Sequence, residues 1–155
     1  NPPKEQKLVE RAKLAARLFP QDQNIQGLYR TIAIGSVAAS QAATFSNEGL
    51  ALFNQTDYKN AALNFEKAFE LNPLEFSYFE NAATANYLIG NLQKALEQIN
   101  LVINEMNPLN GKCEYIKALI FIKMQDPIGA CPLLKTALDS GHSPANATYA
   151  QYCNQ

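Results

Sequence analysis

At 155 residues, with 47% hydrophobic and 17% charged residues, the chain can bury a core and has a globular rather than a disordered composition. Its net charge of −1 argues against the clustered basic excess of a nucleic-acid footprint. No run approaches the roughly 20 apolar residues of a membrane span, which leaves no direct membrane insertion by this segment. Charge is uneven along the chain: six Lys/Arg stand against three Asp/Glu in residues 1–41, three against eight in 42–108, and four against three in 109–155. Solvated helix faces are the plain reading of that pattern. The chain opens on Asn1-Pro2-Pro3 and so reads as a processed product or an excised piece, with any signal or lipid anchor upstream.

Helical periodicity is present from the start. Leu8, Ala12, Ala15 and Phe19 are spaced four, three and four apart, which predicts a helix with these residues on its apolar face, stopped by Pro20. From Asn24 to Asn54 the apolar and small residues Ile25, Leu28, Ile32, Gly35, Ala39, Ala42, Phe45, Gly49 and Phe53 keep one helical spacing. They predict one long helix or two nearly collinear ones, with any break at Gly35–Ser36.

Beyond residue 42 the chain repeats itself. Gly49, Ala83 and Ala118 are separated by 34 and 35 residues, as are Ala61, Ala95 and Ala130; Phe65, Ile99 and Leu134; and Ala68, Val102 and Ala137. Each column keeps its character. Gly49, Ala83 and Ala118 are small where the first helix of a unit must approach the second, and Ala61, Ala95 and Ala130 answer them. Phe65, Ile99 and Leu134 are bulky and predicted to fill the space between units. A single hairpin cannot bury all of this, so the units must stack.

These residues resemble the tetratricopeptide repeat family, whose unit is a 34-residue helix–turn–helix. The fullest match is 42–73, with Gly49, a turn at Thr56–Asp57, Tyr58, Ala61, Phe65, Ala68 and the closing Pro73. A second unit over 76–108 keeps Ala83, Gly90, Ala95 and Pro108, with Leu92 in place of the tyrosine. A degenerate third over 111–140 keeps Ala118, Ala130, Leu134 and Ala137, with Pro127 at the tyrosine position, where a helix start tolerates it. Leu8, Ala12, Ala15 and Pro20 copy the spacing of Ala61, Phe65, Ala68 and Pro73, so the first helix reads as half of a truncated repeat. Ser143-Pro144 reads as an N-cap and first-turn proline opening a polar capping helix over 143–153. The resemblance implies an all-α fold in one domain, 1–155. It would be a right-handed superhelical stack of about three repeats, preceded by N-terminal helices over 4–41.

Cys131 and Cys153 lie on opposite arms of a hairpin centred on Gly141–His142, where antiparallel helices bring them within reach of a disulfide. Two buried free thiols are the equal alternative. The stretch holding Gly129, Ala130, Cys131, Gly141, Tyr152 and Cys153 resembles the C-terminus of extracytoplasmic repeat proteins of Bacteroidetes-type bacteria. An oxidised pair would favour an extracytoplasmic or periplasmic site, with anchoring through an upstream segment. Cys113 reads as a core or half-buried residue.

Catalytic chemistry finds no support. His142 sits in a Ser-Gly-His-Ser-Pro turn with no nucleophile motif, the cysteines lack metal-binding spacing, and the glycines form no phosphate loop. The chain is therefore read as a non-enzyme without metal or cofactor. In the tetratricopeptide family the first helices line a groove. Here that implies a peptide-binding set of Ser46, Leu50, Phe53, Glu80, Asn81, Thr84, Tyr87, Lys112, Tyr115, Leu119 and Ile122. One subgroup of the family grips a C-terminal carboxylate with five polar and basic residues. The matching positions here are Ser46, Leu50, Asn81, Lys112 and Ile116, and only Asn81 and Lys112 have the required character. The expectation is an apolar groove, striped by Phe53, Tyr87 and Ile122, with Asn81 and Glu80 giving direction to a protein or peptide partner. Alternatively the stripe is covered by residues 4–41, or forms a homodimer interface in a self-association module.

Overall fold

The computed structural model describes residues 4–106 and 108–153, with the side chains of Lys4, Glu5 and Ser36 outside that description. Its elements in chain order are α1 (Lys4–Leu18), α2 (Gln23–Ile34), α3 (Ser36–Asn54), α4 (Tyr58–Leu71), α5 (Phe76–Leu88), α6 (Leu92–Leu101), α7 (Lys112–Lys123), α8 (Pro127–Asp139) and α9 (Ala145–Cys153). A π-helical turn, Val102–Met106, carries α6 onward. No strand occurs among the described residues. From α3 onward each helix packs on the next, so the chain builds a stack of antiparallel pairs, while α1 pairs with α2.

All four repeat columns are buried: Ala61, Phe65, Ala68, Ala83, Ala95, Ile99, Val102, Ala118, Ala130, Leu134 and Ala137 have no exposure, and Gly49 is buried as well. A Cβ on Gly49 would lie 2.8 Å from the Phe65 ring, which is why this column begins with glycine. Phe65 both covers Gly49 in its own hairpin and packs with Ala82 and Ala85 of the next. Further on, Ala95 and Ile99 pack with Cys113, Ile116 and Ile120, and Ala130 and Leu134 with Ala145 of α9. Each interface thus takes residues from three successive helices, the arrangement in which neighbours stabilise one another.

The turns repeat too. Thr56, Gly90 and Gln125 all adopt left-handed backbone, at φ of 63°, 85° and 66°. Behind them the amides of Asp57, Asn91 and Asp126 donate to the carbonyls of Leu52, Asn86 and Phe121 at 3.0, 2.9 and 2.9 Å. Every first helix therefore ends in the same left-handed cap, although only one of the three turns carries glycine there. Carboxylates start two of the helices that follow: Asp57 accepts from the Asn60 amide and Asp126 from that of Gly129. Pro127 takes the first position of α8, as expected.

Two expectations, at α1 and at α9, are corrected. The packed side of α1 centres on Ala16, whereas Leu8 and Phe19 stand more than half exposed. A four-residue spacing admits either side of an amphipathic helix, and the chain packs the alanine side, where α2 can approach closely. The break at Gly35 is real, with φ 85° and ψ 148° ending α2 before α3 begins. At α9 it is the backbone carbonyls of His142 and Ser143, not the Ser143 hydroxyl, that accept from the amides of Ala145 and Asn146. Finally, α6 does not close as a plain helix, because its last turn widens into the π segment and seats Val102 in the core.

Candidate protein-interaction surface

The groove residues come from equivalent positions of α3, α5 and α7, but they differ in what they can offer. Leu50 is the most open, at 44% exposure, while Phe53, Asn81, Thr84, Tyr87, Lys112, Tyr115, Leu119 and Ile122 are half-buried. Ser46 and Ile116 are buried.

Glu80 departs furthest from expectation. It is 3% exposed, and its carboxylate pairs with the Lys112 ammonium and accepts from the Cys113 thiol at 3.3 Å. A buried carboxylate without such partners would be strongly destabilising, so Glu80 is held by internal contacts rather than left to a ligand. Lys112, the one basic residue matching a carboxylate-gripping position, therefore has its charge answered from within. Burial, reinforced by the Glu80 carboxylate, pushes the Cys113 thiol far above its ordinary range and keeps it protonated.

The apolar stripe is divided among separate parts of the core. Phe53 packs beside Tyr58, ring centroids 4.9 Å apart, in the layer around Phe65. Tyr87 packs against the layer of Ile99 and Ile120, and Ile122 against that of Leu134. Burial raises the Tyr87 phenol above its usual value, with Tyr115 and then Tyr152 adding to the effect. The Lys123 ammonium sits 4.7 Å over the Tyr87 ring and donates to the Tyr87 carbonyl at 2.9 Å, fastening the second unit to the third. Tyr115 lies against the His142 ring, at 5.0 Å between centroids, which accounts for that histidine as a packing residue of the last turn.

Two features went unread in the sequence. A polar network joins the first and second units: the buried Asn86 amide donates to Glu66 at 3.1 Å and Gln98 at 3.0 Å, and Lys94 pairs with Glu66 at 2.7 Å. Polar residues in separate helices carry no local spacing signal that would have revealed it. A cavity of about 720 Å³ lies between the N-terminal hairpin and the segments linking units, with Ala16, Gln26, Arg30, Leu74, Phe76 and Met106 in its wall. Arg30 pairs with Glu75 at 3.3 Å across this edge. None of the expected groove residues lines it, and the N-terminal residues that do, between Ala16 and Arg30, face the linker edge of the stack.

Cys131 and Cys153 are brought together by the α8–α9 hairpin, with Cα atoms 5.6 Å apart and sulfurs at bonding distance. No group of three His, Cys, Asp or Glu residues that could hold a metal occurs among the described residues, and no described helix is long and apolar enough to cross a membrane.

No family model matches the sequence, and no curated protein matches it. Solved structures do. The Sgt2 TPR domain from Aspergillus fumigatus superposes with a TM-score of 0.63 at 20% identity, covering 71% of this chain and 77% of that one. The TPR2AB domain of yeast Sti1, solved in a complex with pHSP90, gives 0.63 at 19% identity over 95% of this chain and 59% of its own. MamA, as the RS-1 ArsTM double mutant, gives 0.59 at 16% over 97% and 88%. Together with the buried columns and the repeated caps, these likenesses establish the fold: the chain is a stack of helical hairpins of the tetratricopeptide repeat type.

Proposed function

We propose that the chain is a non-catalytic protein-interaction module, seating an extended peptide or a helix along α3, α5 and α7. The observation that carries this is the row of equivalent, incompletely buried residues contributed by successive units, Leu50, Thr84 and Leu119 beside Phe53, Tyr87 and Ile122. Apolar burial would supply the affinity, and the half-buried Asn81 amide would set register. A structural neighbour, the Sti1 domain, is solved in complex with pHSP90, which supports a binding role in general. A free C-terminal carboxylate is not the expected anchor, because Glu80 already answers Lys112.

Selection from a library of displayed internal peptides tests this reading. Apolar sequences should emerge that bind without a free C-terminus, and Leu50→Glu or Tyr87→Glu should lose them while the helical signal is kept. Selection of acidic C-terminal peptides alone, or of none, would overturn it. Self-association through the same stripe is the alternative, and a concentration-independent single-copy mass of Lys7→Glu with Arg11→Glu that is unchanged by Leu50→Glu would remove it.

The module is further proposed to work in an oxidising, extracytoplasmic compartment with Cys131 and Cys153 joined. Thiol labelling of the denatured, unreduced protein as isolated should modify Cys113 alone. Labelling of all three cysteines would remove the support for that location.

A further inference from the structure

The N-terminal hairpin has a face that no described residue of its own chain covers. Lys7, Arg11, Leu14 and Leu18 follow one another at i, i+4, i+7 and i+11, and all four are exposed, Leu14 by 56% and Leu18 by 64%. At about 100° per residue they lie roughly opposite Ala16, the buried residue of α1, so the stripe points away from the packed side. Neither an isolated leucine nor an isolated cation would call for explanation. A continuous apolar and cationic stripe on a helix whose other side is already packed does.

The surface with the matching chemistry is on the same chain. Between α4 and α6 runs a groove of about 310 Å³ with Phe79 and Leu101 in its wall and Glu70 and Glu97 among its lining carboxylates. Lys94 pairs with Glu66 there, whereas Glu70 and Glu97 take part in no ion pair among the described residues. The two regions also carry the opposite charge excesses of the sequence, basic over 1–41 and acidic over 42–108. Helix α1 packs on α2, and no α1 residue lines the α4–α6 groove.

We propose that the occupant of each surface is a second copy of this chain: the Lys7–Leu18 stripe of one copy docks in the α4–α6 groove of another. Leu14 and Leu18 enter against Phe79 and Leu101, and Lys7 and Arg11 meet Glu70 and Glu97. The contact joins two different surfaces, so it closes into a dimer when both copies engage reciprocally and otherwise extends into a longer series. It does not rest on the groove along α3, α5 and α7.

Sedimentation of the whole chain from low to high concentration tests the proposal. Mass should rise to two copies or more at low salt and fall back as salt screens the pairs. Lys7→Glu with Arg11→Glu, and separately Glu70→Lys with Glu97→Lys, should each remain single copies with unchanged helical signal, since all four residues are exposed. Mixing the two variants should restore association, because the reversed charges again match. Leu14→Ser with Leu18→Ser should weaken self-association at least roughly tenfold, while Leu50→Glu leaves it unaltered. A single-copy mass at every concentration would overturn the proposal. So would undiminished assembly of both charge-reversed proteins, a mixture that stays unassociated, or loss of assembly in Leu50→Glu alone.

Discussion

Residues 42–140 and residues 4–34 are both built of helical hairpins, yet they are held by different means. In the stack, α4 alone buries Ala61, Ala62, Phe65 and Ala68, and α8 buries Ala130, Leu134 and Ala137. In the N-terminal hairpin only Ala16 is buried among the described side chains, and α2 buries nothing, although Leu8, Leu14, Leu18, Phe19 and Leu28 are all available. Apolar content is therefore not what separates them. The stack supplies each apolar face with a neighbour on both sides, whereas the hairpin meets the stack along the start of α3 and the linker edge, through contacts such as Arg30–Glu75. Stability in such arrays is close to a sum of unit and neighbour terms, so a hairpin with half its neighbours missing should be the first part to open.

Truncations of a large apolar side chain in each region should expose this contrast most strongly. Phe65→Ala removes a fully buried ring and is expected to lower the unfolding free energy by about 3–5 kcal/mol in denaturant titrations. Leu18→Ala should change it by no more than about 0.5 kcal/mol in the single-copy protein. Similar losses at both positions would erase the distinction. With Cys131 and Cys153 joined as proposed, the other end of the stack is strapped. Serine at both Cys131 and Cys153 should cost about 2–4 kcal/mol, read as a lower melting temperature that reductant no longer affects. A parent protein indifferent to reductant would show that α9 is held by packing alone.

A smaller effect is expected at Gly49, where a methyl group would be driven into the buried Phe65 ring. Gly49→Ala should cost about 1–3 kcal/mol by overpacking, whereas Gly27→Ala in α2, with nothing within 4 Å of the added carbon, should be stabilising or neutral. Smallest, and opposite in sign, is Thr56→Gly. A β-branched residue held at φ 63° carries strain of about 1 kcal/mol, and glycine should return most of it as a higher melting temperature.

What could be read before any coordinates follows the same division. The columns from Gly49 to Ala137 were legible because burial between stacked hairpins imposes size at a fixed period. Pro127 and Gly35 were legible because each acts on its own backbone. The left-handed turns at Thr56 and Gln125 were not, since neither residue favours that conformation and only the equivalence with Gly90 would have betrayed them. Nor was the pairing of Glu80 with Lys112 and Cys113, which joins residues of different helices and changes Glu80 from a groove residue into a buried one. On α1 the spacing correctly indicated a helix while misplacing its packed side, because leucines and alanines both recur at helical intervals and only the neighbour decides which are used.

The stack is complete in itself, and the N-terminal hairpin is not. Native-state hydrogen exchange, resolved by residue and run on single-copy protein, tests it most directly. Amides of α4 through α8 should exchange only through global unfolding, and those of α1 and α2 through local opening that is faster by orders of magnitude. If the α1 and α2 amides are as protected as those around Phe65 and Leu134, the hairpin is an integral part of the fold and not an incomplete unit.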